Sequence, residues 1–331
     1  MTARVPEPDP AIRPTTRARA AARTRSGAPA LAVALAVAVA VAAGVLLAAC
    51  GGTIDLATTA PGQVRVVTTT TVLADLVTQV GGSRVQVDSL VPRGGEAHTF
   101  DPRPSDLVKV ARADLVVMNG LGLDDWLVKL VADTGTAAPV VRLGEHLPGV
   151  AYLAGEGAGT TNPHLWLNVA YARAYVERIG EALAAVAPAD AAAFRAGAQA
   201  YEARLEQLDG WVRAMIATIP ESNRAFISFH DALPYFAAAY GLRIVGVVVP
   251  APGQDPSAGQ VADLVAAIKA AGVKAVFSES QFSPELAQTV AREAGATVVA
   301  DLYTDTLGDP PADTYEGLIR WDVERFVAAL R

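Results

Sequence analysis

Four side chains in this chain could together hold a metal ion: His98 in Gly-Gly-Glu-Ala-His-Thr-Phe, His164 in Asn-Pro-His-Leu-Trp, His230 in Phe-Ile-Ser-Phe-His-Asp and Asp301 in Val-Val-Ala-Asp-Leu-Tyr. They stand 66, 66 and 71 residues apart, so no two can share a helix face and a local HExxH-type motif is excluded. Imidazole nitrogens and a carboxylate oxygen are the usual ligands of a borderline divalent cation such as zinc, and four of them at about 2.0–2.2 Å complete a tetrahedral shell. A hydrolytic zinc keeps one coordination position for water and needs a base nearby. Four protein ligands leave no such vacancy, which favours capture of an ion over chemistry on a substrate. Any one of these histidines taken alone reads as an ordinary core or surface residue. The set carries the argument.

Widely spaced ligands need a fold that brings loops together. From Val64 onward short apolar runs alternate with amphipathic stretches, the rhythm of a parallel sheet covered by helices. Strands are expected at Val64–Thr68, Val85–Val91, Leu115–Met118 and Val140–Leu143, and again at Ala225–Phe229, Arg243–Val249, Ala275–Ser278 and Thr297–Ala300. Between the two series, Phe194, Tyr201, Leu205, Leu208, Val212, Met215 and Ile219 form one apolar stripe at helical spacing over residues 189–218. A helix of ~30 residues is ~45 Å long, too long for a crossover within one small sheet and suited to joining two lobes.

The expected fold is therefore α/β, with two lobes, each a mostly parallel sheet flanked by helices, bridged by one long helix. The expected boundaries are an N-terminal lobe over 63–187, the connecting helix over 188–220 and a C-terminal lobe over 221–331. On this plan His98 and His164 belong to the first lobe and His230 and Asp301 to the second. His230 and Asp301 would each follow a strand at its carboxyl end, where open α/β sheets bind ligands. Glu279, at the end of the Ala275–Ser278 run, could orient a ligand imidazole. Asp190 and Asp231 are placed to cap helices, Trp166 to pack the cleft wall or the core between the lobes, and His146 to lie on the surface.

The first 49 residues are not part of this fold. Six arginines with only Glu7 and Asp9 precede an almost pure Ala-Val-Leu run, the layout of a secretory signal. The run ends Leu47-Ala-Ala-Cys50-Gly, and Cys50 is the only cysteine in 331 residues. This ending resembles a bacterial lipobox, which implies signal removal, lipidation of Cys50 and a tether over 50–62. An uncleaved anchor is the alternative, since roughly 20 apolar residues can span a bilayer. Either places the domain outside the cytoplasm. Beyond residue 49 the chain carries 21 basic against 32 acidic residues, a net charge of −11. That balance excludes a nucleic-acid partner, which requires a basic footprint.

Several passages together resemble the metal-binding lipoprotein components of bacterial ABC importers for zinc and manganese. They are Val-Pro-Arg-Gly-Gly-Glu-Ala-His98-Thr-Phe-Asp-Pro-Arg-Pro-Ser-Asp, Asp114-Leu-Val-Val-Met-Asn-Gly-Leu-Gly-Leu, Asn-Pro-His164-Leu-Trp-Leu-Asn, Phe-His230-Asp-Ala-Leu-Pro-Tyr-Phe, Phe-Ser-Glu279-Ser-Gln-Phe and the segment of Asp301. The resemblance implies metal held between two lobes by His98, His164, His230 and Asp301, and delivery by a monomeric receptor to a membrane permease driven by a cytoplasmic ATPase. It implies no catalysis. Manganese-type members tend to offer a carboxylate where this chain has His230. Three imidazoles and one carboxylate suit zinc, whereas manganese prefers more oxygen ligands, so zinc is the expected cargo and manganese the alternative. A zinc hydrolase or a surface adhesin with incidental metal are more distant readings. Unlike some zinc-type members, the chain has no histidine-rich insertion, since His146 is the only histidine in residues 144–163.

Overall fold

The computed structural model describes residues 62–155 and 159–331. The expected signal segment, Cys50 and most of the tether lie outside the described residues. Four strands, β1 (Val64–Thr68), β2 (Val85–Ser89), β3 (Leu115–Met118) and β4 (Val140–Arg142), form one sheet in the order β2-β1-β3-β4. Four more, β5 (Ala225–Ser228), β6 (Arg243–Val247), β7 (Ala275–Glu279) and β8 (Thr297–Leu302), form a second in the order β6-β5-β7-β8. Every pairing is parallel. The two sheets thus share one topology, although no residue-level repeat joins their sequences. In each, strand order reverses beside the first strand, and the crevice at that switch point opens at the carboxyl ends of the strands.

Helices α1 (Thr71–Gly81), α2 (Pro104–Arg112), α3 (Trp126–Thr134) and α4 (Val169–Val186) accompany the first sheet. The second has α6 (Pro234–Tyr240), α7 (Ala258–Ala271), α8 (Glu285–Ala294) and α9 (Tyr315–Leu330). Between them runs α5 (Ala191–Ala217), 27 residues and so about 40 Å long. It packs on α4 and α1, which accompany the first sheet, and on α9 and α6, which accompany the second. Its buried face is Phe194, Ala198, Tyr201, Leu205, Leu208, Val212 and Ile216. The expected stripe is corrected at one step: Ile216 is buried in place of Met215, which lies partly buried at its margin, while Ile219, just past the helix, is buried as expected.

Close approach fixes the seat of α5. A Cβ at Gly197 would collide with the carbonyl oxygen of Val80 in α1, so the absence of a side chain lets the two backbones touch. Residues of both lobes, from Val66 and Leu76 to Phe226 and Phe326, then form one continuous apolar core along α5. Asp190 does not cap α5 with its side chain; it accepts a hydrogen bond from Arg84 Nε at 3.1 Å instead. Among the described residues no helix is long and apolar enough to cross a membrane.

Candidate metal centre

Three of the four expected ligands meet. His98 arrives on the loop after β2, and His164 ends the segment that returns from β4 and precedes a short 3-10 turn over Leu165–Leu167. His230 stands two residues past the end of β5. The Nε2 atoms of His98 and His164 are 3.2 Å apart, and those of His230 and His164 3.4 Å. Four ligands at 2.0–2.2 Å in a tetrahedron lie about 3.3–3.6 Å from one another. These two imidazole pairs are already spaced as edges of such a shell.

The carboxylate that joins the three histidines is that of Asp305, not Asp301. One Asp305 oxygen lies 3.5 Å from His164 Nε2, and the other lies 3.6 Å from His230 Nε2 and 3.9 Å from His98 Nε2. All four ligand atoms fall within 4.8 Å of one another. Strand β8 runs to Leu302, two residues beyond its expected end, so Asp301 is a strand residue. Its carboxylate meets Arg325 Nε of α9 at 3.0 Å, and its carbonyl accepts from Trp321 Nε1 at 2.7 Å. Asp301 is thus committed to the helix that covers the sheet. Asp305, in Tyr-Thr-Asp-Thr-Leu, lies just past the strand end, where the same topological rule that pointed to Asp301 applies with the strand drawn two residues longer. The division of ligands between the lobes, two and two, is unchanged.

Two outer groups contact two of the four. Glu279, the last residue of β7, places Oε1 3.0 Å from His230 Nδ1, with both side chains 1% exposed. Asn162 Oδ1 stands 3.0 Å from His164 Nδ1 and accepts from the His164 amide at 3.1 Å. Each contact leaves the opposite ring nitrogen, Nε2, free to ligate, which is the role of outer partners at metal sites. The position of Glu279 suits the orienting part suggested by its sequence. Asn162 was not among the expected residues; its signal is its place two residues before a ligand histidine in an Asn-Pro-His loop.

Asp231 does not cap α6, which begins at Pro234; its carbonyl and carboxylate accept from Asn162 Nδ2 at 2.6 and 3.1 Å. Trp166 packs between the lobes as expected, buried, with Nε1 donating to the Thr304 carbonyl at 2.8 Å. His146 is exposed on the surface.

The electrostatics suit a cation. Burial, with the charge of His230, pushes His98 down to about 3, and burial together with the other two imidazoles takes His164 well below its usual value. Both therefore present neutral nitrogens. Burial also opposes charge on His230, but Glu279, Asp305 and Glu96 outweigh it and lift this imidazole to about 10. Burial raises Asp305 to about 8, against the pull of His230. Asp305 Oδ1 and Glu279 Oε2 are buried with no hydrogen-bond partner. Orphaned carboxylate oxygens of this kind are costly unless a cation compensates them. A cavity of about 220 Å³ leads to the three histidines between Gly122, Thr160, Asn162 and Asp231.

Comparison with known proteins finds metal-binding lipoproteins and periplasmic metal-binding proteins similar to this chain. A manganese-binding lipoprotein, MntA, of Halalkalibacterium halodurans is 33% identical over 288 residues, covering 86% of this chain and 95% of the relative. The periplasmic zinc-binding protein TroA of Treponema pallidum superposes with a TM-score of 0.75 at 26% identity, covering 81% of this chain and 99% of TroA. A manganese-bound periplasmic metal-binding protein of Candidatus Liberibacter asiaticus superposes with a TM-score of 0.73 at 25% identity, covering 81% of this chain and all of that one. The model of the family described as zinc-uptake complex component A, periplasmic, matches residues 66–329. The chain belongs to this zinc-uptake component A family.

Proposed function

We propose that the protein is an extracytoplasmic receptor that captures one divalent metal ion between its lobes and delivers it to the permease of an ABC importer. The observation that carries this reading is the convergence of His98, His164, His230 and Asp305 within 4.8 Å, all but His98 buried. A family of uptake components supports transport, and the chain is not an enzyme. The four-ligand shell agrees, because it leaves no coordination position for a reactive water. The lipidated Cys50 and the tether to residue 62 would hold the receptor as a monomer at the outer face of the membrane, beside the permease and its cytoplasmic ATPase.

Capture follows from the protonation pattern. His98 and His164 offer lone pairs without losing a proton. His230 carries a proton that an incoming dication displaces, and Asp305, whose carboxyl is raised to about 8, gives up its own proton as it ligates at neutral pH. Zinc is the cargo we favour, since three imidazoles and one carboxylate match its preferred donors and two of the imidazole pairs are spaced like its tetrahedral edge. TroA, named a zinc-binding protein, is in keeping with that choice. Manganese is the second reading, favoured by the name of the 33% identical relative and by the manganese-bound neighbour, and by a carboxylate that turns both oxygens toward the histidines. Metal analysis of the purified chain, followed by direct competition of zinc against manganese, tests the proposal. One tightly held equivalent with zinc displacing manganese is expected. A manganese preference would overturn the cargo, and no stoichiometric metal would overturn the function.

A further inference from the structure

Asp305 belongs by sequence to the second lobe, yet the loop that presents it is held by the first. Thr304, Asp305, Thr306 and Leu307 are all buried. Trp166 Nε1 donates to the Thr304 carbonyl at 2.8 Å, and the Gly94 amide donates to Thr306 Oγ1 at 2.8 Å. The Leu307 amide donates to Thr71 Oγ1, also at 2.8 Å. Trp166, Gly94 and Thr71 all belong to segments that follow strands of the first sheet. The second lobe's Gln281 reaches Thr304 Oγ1 and Asp305 Oδ2 only at 3.5 Å.

Thr71 is the informative member of this set. It opens α1, but the hydroxyl that caps the helix is that of Thr70, which accepts from the Leu73 amide at 3.3 Å. The Thr71 hydroxyl is therefore free of its own helix. It is spent on a residue 236 positions away and lies 3.3 Å from Thr306 Oγ1. One threonine thus touches both residues that follow the carboxylate. We propose that Thr71 is a positioning residue of the metal centre: from the first lobe it holds the Thr304–Leu307 loop so that Asp305 faces the three histidines. This inference rests on the receptor reading above, with Asp305 as a ligand.

The proposal is tested by zinc titration of the purified chain and its variants. Thr71→Val keeps shape but removes the acceptor for the Leu307 amide, and should weaken zinc binding by about 10-fold, the lower end for outer partners of metal ligands. Thr71→Ser restores the acceptor and should recover affinity to within about threefold of the parent. In an Asp305→Ala background, Thr71→Val should change zinc affinity no further, because the carboxylate it positions is gone. Undiminished binding by Thr71→Val, failure of Thr71→Ser to recover it, or an equal loss in both backgrounds would overturn the role. A parent chain that binds no zinc would overturn the receptor reading and this inference together. Parental binding with an indifferent Thr71→Val would overturn this inference alone.

Discussion

Replacing Glu279 by glutamine separates the charge that sustains the His230 proton from the contact that orients the ring. The carboxylate oxygen lies 3.0 Å from Nδ1, and neither group meets solvent. Burial alone would lower the His230 pKa below its ordinary 6.5; Glu279, aided by Asp305 and Glu96, instead lifts it to about 10. Since one pKa unit is 1.36 kcal/mol, that difference corresponds to about 5 kcal/mol of preference for imidazolium in the metal-free fold.

The sign follows from linkage. A group with a raised folded pKa contributes stability that is complete below about pH 6.5 and is lost as pH climbs through about 10. Glutamine can still accept from Nδ1–H but carries no charge, so His230 should become neutral at pH 7.5, as His98 and His164 are. Calorimetric titration with zinc in two buffers of different ionisation heat counts the protons released. Glu279→Gln should release about one proton fewer per zinc than the parent, and the metal-free variant should lose the share of the stability decline between pH 6.5 and 10 that His230 carries. An unchanged proton count would refute the account of the His230 charge.

Three further outcomes follow from packing and outer contacts. Gly197→Ala places a Cβ against the Val80 carbonyl oxygen, so an overpacking cost of about 1–3 kcal/mol should outweigh a helix-propensity gain of up to about 1 kcal/mol and lower the melting temperature. Gly210→Ala, on the same helix with open space around it, should raise the melting temperature by the propensity gain alone, about 0.8–1 kcal/mol in stability. Asn162→Ala frees His164 Nδ1 from the oxygen at 3.0 Å and should weaken zinc binding about 10-fold in titration.

The architecture was legible because both lobes are built from short β-branched runs bounded by glycine, proline and polar turns, and strands β1 and β3 begin and end where those runs do. The three histidines were legible as a set. The carboxylate was not, because a charged residue after Val298-Val-Ala reads as the end of a strand. Strand β8 pairs only with β7 and lies at the sheet edge. An aspartate can therefore sit inside it, with a side chain 48% exposed and answered by Arg325. Asp305, by contrast, hides in a loop whose composition of threonines, aspartate and glycine reads as solvated but which is fully buried. What buries it comes from Thr71, Gly94 and Trp166, between about 140 and 240 residues earlier in the chain. Contacts of that range leave no local trace. Asp190 and Asp231 failed as caps for a related reason, since Arg84 and Asn162 reach them from distant elements.

The central claim is that His98, His164, His230 and Asp305 hold the ion, with Asp301 outside the site. Zinc titration of the parent beside Asp305→Ala and Asp301→Ala tests it most directly. The parent and Asp301→Ala should each bind one equivalent with equal affinity, while Asp305→Ala loses at least about 100-fold, as removal of a metal ligand should exceed the 10–100-fold effect of an outer partner. Tight binding that survives Asp305→Ala and is lost in Asp301→Ala would contradict it.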